Sequence, residues 1–567
     1  MSVNMLIDDN PWWRPDVLRF LEELRRTRSP EQQEDPEKAI HQWRISLLNK
    51  LAELDPQLLQ LKGTEVSLNL QRIWNPRLIF LLRKNILWDS QGSYVLISVR
   101  GPRQVGKTTM TKLLIGELLL EHLLHPHQFS PLKIVYIRCD NPRLGGPRDL
   151  SSVMRDFLRE RVDYPGEPYL FLDEVSSLRD WQMAVKDLHD GGFLLRHKAK
   201  ILVTGSHSLD VKKGAEILAL RKGIMLEGGN DKLLLPMKFS EYVMYREQIV
   251  GKHAFHHLFT TERFLERERR IKVFSEIAQV GAPVPDIFKM AGMYIHELWV
   301  YFNDYLISGG YPPAIRQHLE KGMISPGVYS GYIDLAVKDA IKWNLNPDTL
   351  YNLIWQLLEG PRGSYDAAPI KEVSYNSLAG RMGVSHNTVK QYLDYLIEAF
   401  VLHEITKLKE IQKRRSPPKV PRKFYFWDPL MFYAFKASSS GAGDAYALAL
   451  RQASRWRSVV AEMVTVVNVA HMLMSLEMIQ DLVLLRRKMF YYKPMAGKEI
   501  DCIAEVEGKL VPIEIYSGEK VEGTHAEKLV KMSRQLNVRS ILAYGGTELH
   551  ISDELIAIPI PLFILLA

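Results

Sequence analysis

Cysteine is nearly absent from this chain, with Cys139 and Cys502 the only two in 567 residues. They stand far apart, which rules out a disulfide framework and leaves no zinc-type spacing, so a reducing cytoplasm fits best. Low-complexity tracts are missing, as is any repeat at solenoid period. With 46% hydrophobic and 25% charged residues, large-scale disorder is not expected. Long apolar runs are also lacking. The longest one read from the sequence, 555–567, is interrupted by prolines and too short to span a bilayer; it reads as a buried last strand, and no membrane partner is expected. The opening segment carries Asp8, Asp9, prolines and a string of Arg and Glu, the pattern of neither a secretory signal nor a transit peptide. No strong charge of one sign exists either: the net charge of +8 permits nucleic-acid binding without demanding it.

What is present is a chain too long for one hydrophobic core, with a length prior of roughly three or four domains. Residues 1–90 are polar and helix-prone and begin with Asn10-Pro11-Trp12-Trp13, whose paired tryptophans either dock on a core or touch a partner. From residue 91 short apolar runs at 95–99, 133–137, 169–172 and 200–203 alternate with helical stretches, which predicts an α/β unit with a parallel sheet wrapped by helices up to 239. Residues 240–345 are mostly helical, with a break at 308–313. Residues 346–428 contain a helix-turn-helix pattern. Strand-like runs at 424–427, 499–504, 510–516, 540–544 and 556–566 surround a helix-rich stretch at 451–475, and 429–567 reads as a second, smaller α/β domain.

Gly101-Pro102-Arg103-Gln104-Val105-Gly106-Lys107-Thr108 matches G-x-x-x-x-G-K-[ST], and Thr109 follows. The glycines let the loop turn its N–H groups toward phosphates, and the helix behind it adds its positive end. Lys107 is expected to reach the β- and γ-phosphates of ATP, and the Thr108 hydroxyl to ligate Mg²⁺. The pattern follows an apolar strand and opens a helix, the context it requires. A second strand ends in Asp173 and Glu174. Asp173 is expected on the magnesium side, and Glu174 as the group that orients the attacking water. A third strand ends in Thr204-Gly205-Ser206, where Thr204 and Ser206 are candidates to sense the γ-phosphate or, alternatively, to cap a strand-end turn.

These motifs, with Trp181, Leu220-Arg221-Lys222-Gly223, the 235–242 segment and Gly309-Gly310-Tyr311-Pro312, resemble prokaryotic, especially archaeal, AAA+-like P-loop ATPases that carry an uncharacterised C-terminal domain. The resemblance covers roughly 90–567, and the Asn-Pro-Trp-Trp start resembles the archaeal branch. It implies a homo-oligomer, a hexameric ring among the options, in which Arg221 is a candidate arginine finger reaching a neighbouring subunit. The other reading of Arg221 is a surface arginine beside a glycine turn. Leu220 stands where many relatives have glycine.

Further along, Gly383 breaks a short helix and Ser385 caps the next, with Val389, Leu393 and Leu396 inward. His386, Asn387, Lys390 and Gln391 are left outward, positions that enter a major groove in a helix-turn-helix. Lys407, Lys409, Lys413, Arg414, Arg415, Lys419, Arg422 and Lys423 follow and resemble the basic wing of a winged helix, suited to phosphates. Winged helices also serve as protein contacts, and a solvated hairpin is the plain alternative. Last, Glu499-Ile500-Asp501 and Val511-Pro512-Ile513-Glu514-Ile515-Tyr516 resemble the PD-(D/E)XK nuclease pattern, with Glu462 as a further ligand. Tyr516 occupies the place of that family's lysine, which predicts a degenerate nuclease site, with Lys520 the nearest replacement. The sequence therefore predicts an ATP- and Mg²⁺-dependent motor on duplex or branched DNA, Holliday-junction branch migration being the sharpest version. A signalling or defence switch and an ATP-controlled nuclease are the rivals.

Overall fold

Val95–Arg100 forms strand β1, buried along its whole length. Around it stand β2 (Ile134–Arg138), β3 (Tyr169–Asp173), β4 (Lys200–Gly205) and β5 (Asp231–Leu233). In this computed structural model they pair in the order β2-β3-β4-β1-β5, every neighbour parallel. A parallel sheet covered on both faces needs apolar residues on both sides of each strand, which is why the first four strands read as continuous apolar runs. The three-residue β5, Asp-Lys-Leu, carries no such signal and was not expected.

The structure describes residues 6–567 apart from 28–35, 56–57, 59–80, 207, 251–254, 256–266, 359–371, 412–419, 442–443, 453–456 and 495–498. It divides into two units, Met1–Leu235 and Pro236–Ala567.

In the first unit the N-terminal segment lies on the sheet. Trp12 and Trp13 are buried and donate their indole N–H groups to the Ile134 carbonyl at 3.2 and 2.9 Å. Trp13 also stacks on Phe157 with centroids 6.1 Å apart. Docking on the core is thus the outcome for the paired tryptophans. The helix Pro36–Leu54 lies against the helix Lys107–Leu124. An added Cβ at Gly116 would meet Leu48 and Leu51 at 3.5 and 3.8 Å, ordinary contact distances. Arg44 grips Glu117 through two bonds of 2.9 and 3.3 Å.

The second unit holds an eight-stranded mixed sheet, β12-β13-β11-β10-β9-β8-β6-β7. Its strands are β6 (Leu402–Lys407), β7 (Arg422–Phe426), β8 (Met489–Tyr492), β9 (Ile500–Val506), β10 (Lys509–Tyr516), β11 (Ser540–Tyr544), β12 (His550–Ile551) and β13 (Leu555–Pro559). The β6–β7 hairpin joins this sheet through β8, pairing Thr406 with Phe490, so hydrogen bonding runs straight across the expected boundary at 428. One apolar reading changes. The predicted last strand stops at Pro559 and a short helix, Ile560–Ile564, follows, because Pro561 has no N–H for a ladder but suits a helical first turn. Ser458–Leu476, 19 residues long and apolar enough to cross a membrane by length and composition, is 89% buried. It is the core helix of this unit.

The Gly309-Gly310 pair has a packing reason. A Cβ on Gly310 would lie 2.1 Å from the Met237 carbonyl oxygen, and one on Gly309 2.0 Å from Asp428 Oδ1. The Asp428 carboxylate accepts the Gly310 and Leu430 N–H groups at 2.6 and 2.8 Å. Burial pushes its pKa up to about 7.

Candidate nucleotide-binding site

The sheet order sets β1, β4 and β3 side by side, so the loop after β1 and the ends of β3 and β4 meet at one edge. This is where open parallel sheets bind ligands. Gly101 must be glycine, since a Cβ there would lie 1.9 Å from the Leu234 carbonyl oxygen. Gln104 and Gly106 have φ of 60° and 95°, which curls the loop before the helix Lys107–Leu124 begins. Gln104 is exposed, Pro102 and Arg103 are half-buried, and Val105 and Thr109 are buried. Lys107, 5% exposed, donates to the Gly101 and Pro102 carbonyls at 2.9 and 2.7 Å.

Asp173 is the hub. It is 3% exposed and its Oδ2 accepts from the Thr108 and Tyr136 hydroxyls, both at 2.7 Å. Its Oδ1 accepts from the Thr204 hydroxyl. Register explains the last contact: Leu172 pairs with Val203, so the next residues, Asp173 and Thr204, are neighbours. Glu174 adopts φ 54°, a left-handed conformation uncommon for a glutamate. Its Oε2 accepts from the Ser206 N–H at 3.1 Å and the Ser206 hydroxyl at 2.6 Å. The two sensor candidates therefore each hold one of the paired acids. Tyr136 was not singled out from the sequence, although the apolar run that holds it was read as a strand. Burial, reinforced by Asp173, raises its pKa well above the ordinary tyrosine value.

The oxygen set fits magnesium. Mg²⁺ takes one or two protein oxygens and completes its shell with phosphates and water, and Thr108 and Asp173 supply two hard donors in contact. Among the described residues no cluster of three or more His, Cys, Asp or Glu side chains is arranged to hold a metal.

Arg221 ends a short helical turn, Ala219–Arg221, and its guanidinium contacts Asp190 of the same subunit. Its neighbour Leu220 is 95% exposed.

In the second unit Ser374 and Ser385 cap the helices Tyr375–Met382 and His386–Glu398, and Gly383, at φ 67°, ends the first. Val389, Leu393 and Leu396 are buried, while His386, Asn387, Lys390 and Gln391 share the exposed face. Lys390 is paired with Asp394 on that face. Lys413, Arg414, Arg415 and Lys419 lie outside the described residues. Two other basic residues of that segment turn inward: Arg422 pairs with Glu404 and lies 4.2 Å over the Tyr375 ring, and Lys423 is 5% exposed between Glu462 and Glu499.

The nuclease-like acids carry their own cations. Glu514 is paired with Lys528 and His525, both from the helix Gly523–Leu536. Asp501 accepts the Ile515 N–H at 2.9 Å, and Glu462 accepts from Tyr425 and Lys423. Burial pushes Glu462 and Asp501 up to about 7. Tyr516 points elsewhere, with its hydroxyl 2.5 Å from Glu522 and its ring stacked on His525. Lys528 is thus the lysine that stands at Glu514, while Lys520 is exposed.

The sheet and site define a P-loop ATPase domain. Residues 93–243 match the AAA domain family, while 300–440 and 477–563 match two domains of unknown function, DUF8612 and DUF4143. Comparison with curated proteins finds no match. Among solved structures, the Walker-type ATPase PABY2304 of Pyrococcus abyssi is 14% identical, with 63% of this chain and 95% of that one covered and a TM-score of 0.32. The Aeropyrum pernix ORC1 protein in complex with DNA is 13% identical, with 67% and 94% covered and a TM-score of 0.26. A mutant of Thermotoga maritima RuvB is 16% identical, with 62% and 92% covered and a TM-score of 0.22. Likeness this distant says nothing of what this chain acts on.

Proposed function

We propose that the chain is a cytoplasmic AAA+-like motor that hydrolyses ATP to remodel duplex or branched DNA, working as a homo-oligomer. The observation that carries the ATPase part is the Thr108–Asp173 contact of 2.7 Å, which joins the phosphate loop to the acidic strand. In this reading the loop N–H groups and Lys107 hold the phosphates. Thr108 and Asp173 would hold magnesium, which when bound would supply positive charge at the phosphate oxygens. Glu174 takes the attacking water from a conformation that Ser206 already steadies. Thr204 keeps Asp173 from rotating.

The DNA part rests on the exposed His386, Asn387, Lys390 and Gln391, presented as a winged helix presents its recognition helix. The Glu514–Lys528 and Glu462–Lys423 pairs favour a nuclease-like fold kept for binding or assembly over one that cuts. Holliday-junction branch migration is the sharpest form of the proposal. The two cysteines are buried and free, in keeping with a reducing compartment.

A second reading, a signalling switch gated by assembly, is favoured by one observation: Arg221 is engaged within its own subunit. Steady-state ATP turnover of the full chain, measured without DNA and with duplex, single strand and a four-way junction, separates the two. Stimulation by the junction supports the branched-DNA motor. Equal rates in all four support the switch.

A further inference from the structure

β2 is an edge strand, the end of the order β2-β3-β4-β1-β5. An open edge presents unpaired N–H and C=O groups and needs cover. Here the cover is not a strand but side chains. Asn10, fully buried, donates through Nδ2 to the Tyr136 carbonyl at 2.9 Å and accepts the Tyr136 N–H through Oδ1 at 2.7 Å. One amide side chain thus supplies the pair of bonds that a neighbouring strand would. Two residues back along the edge, Trp12 and Trp13 take the Ile134 carbonyl.

The residue so gripped is the one whose side chain reaches the nucleotide site. The Tyr136 hydroxyl donates to Asp173 Oδ2, the same oxygen that receives Thr108. When Thr108 turns to a metal, Tyr136 and Thr204 are the two hydroxyls left to orient that carboxylate. Lys112 of the phosphate-loop helix sits 5.3 Å over the Tyr136 ring and pairs with Asp55, again from the N-terminal segment. The tyrosine is therefore fixed at its backbone and at its ring by groups that answer to residues before β1.

We propose that Tyr136 is a positioning residue for the magnesium-side carboxylate, and that the Asn10–Trp13 segment sets its position from the sheet edge. This rests on the ATP reading of the site. It gives the N-terminal segment a part in metal-dependent nucleotide binding, which its sequence alone did not suggest.

The test is calorimetric binding of a non-hydrolysable ATP analogue to the full chain, once in EDTA and once in Mg²⁺, for wild type, Tyr136→Phe, Asn10→Ala and the double variant. Tyr136→Phe removes one oxygen and leaves the ring in place. Affinity in EDTA should stay within about twofold of wild type, while the gain conferred by Mg²⁺ should shrink on the order of tenfold, the scale for losing a partner of a metal ligand. Asn10→Ala should shrink the same gain, and the double variant should add nothing beyond Tyr136→Phe. An undiminished Mg²⁺ gain in Tyr136→Phe overturns the inference, whatever the fate of Asn10→Ala. Equal losses with and without metal overturn it too, as general loosening. A wild type that binds no nucleotide overturns the ATP reading along with it, so the two failures are told apart.

Discussion

Arg221 faces Asp190 through two roughly parallel contacts, Nε to Oδ1 at 2.7 Å and Nη2 to Oδ2 at 3.2 Å. This fork is the geometry in which a guanidinium holds a carboxylate best. The Asp190 carboxyl is held down to about 2 by Arg221 first and His189 next. An arginine finger would have to leave this partner to reach a neighbour.

Mixing Arg221→Ala subunits with Lys107→Ala subunits should restore part of the ATPase activity that each lacks alone. A finger is worth about 10³-fold in rate, so recovery stands well above background. Absence of recovery at any mixing ratio places the arginine's role within its own subunit.

Lys107→Ala should abolish turnover, because it removes the cation held at the loop carbonyls of Gly101 and Pro102. Glu174→Gln should retain ATP and stop hydrolysis, since glutamine keeps a carbonyl for Ser206 but cannot accept a proton from water. Nucleotide retained on a filter, set beside released phosphate, distinguishes the two variants. Normal hydrolysis by Glu174→Gln moves the base elsewhere.

Neutralising Lys413, Arg414 and Arg415 together should weaken DNA binding and flatten its salt dependence. Each lost phosphate contact lowers the slope of log K against log salt by about 0.9 on duplex DNA. A titration at several salt concentrations measures it. An unchanged slope shifts the contact to the helix face carrying His386 and Lys390.

Lys528→Met should destabilise the second unit by less than the roughly 3–5 kcal/mol of a buried charge left alone, because His525 still holds Glu514. Glu514 and Lys528 side chains are 5% and 15% exposed. Denaturant unfolding reads the loss. A Lys528→Met/Glu514→Gln double variant should recover much of it, because no lone charge remains.

Two buried histidines make the stability of the second unit sensitive to acid. His403 and His471 flank the Trp427 ring at 4.9 and 5.6 Å, and burial pushes both down to about 3, with Arg486 beside the first and Lys238 beside the second. The unfolded chain takes protons below about 6.5 while the folded one does not, so stability is full above that pH and falls as pH drops toward 3. Each histidine contributes about 1.4 kcal/mol per pH unit in that window. Asp428, Glu462 and Asp501, raised to about 7, gain protons in the folded chain over the same range and oppose this loss. The histidine part is therefore read as a difference: from pH 7 to pH 5 the melting temperature of His471→Gln should gain relative to that of wild type.

Much of the nucleotide site was legible because its chemistry is local. A glycine where a Cβ would strike a carbonyl, a lysine at a helix start and two acids ending an apolar strand are neighbours in the chain, so their spacing carries their geometry. The caps at Ser374 and Ser385 were readable for the same reason. The partners of these residues were not. Thr204 and Ser206 were read as phosphate sensors or as caps of a strand-end turn, and that they touch Asp173 and Glu174 is a matter of register between β3 and β4.

The sequence by itself determined that phosphate loop and acidic strand exist, that the sheet carrying them is parallel, and that a helix face is left open in the second unit. Only the tertiary structure decided that Asn10 would close the edge of β2 at Tyr136, that Arg221 would rest on Asp190, and that Lys528 and Lys423 would neutralise the nuclease-like acids. Those pairings join residues from 14 to 126 positions apart, and which of them meet follows from strand order and register. No window of neighbouring residues encodes strand order, because it is selected by burying the whole sheet at once.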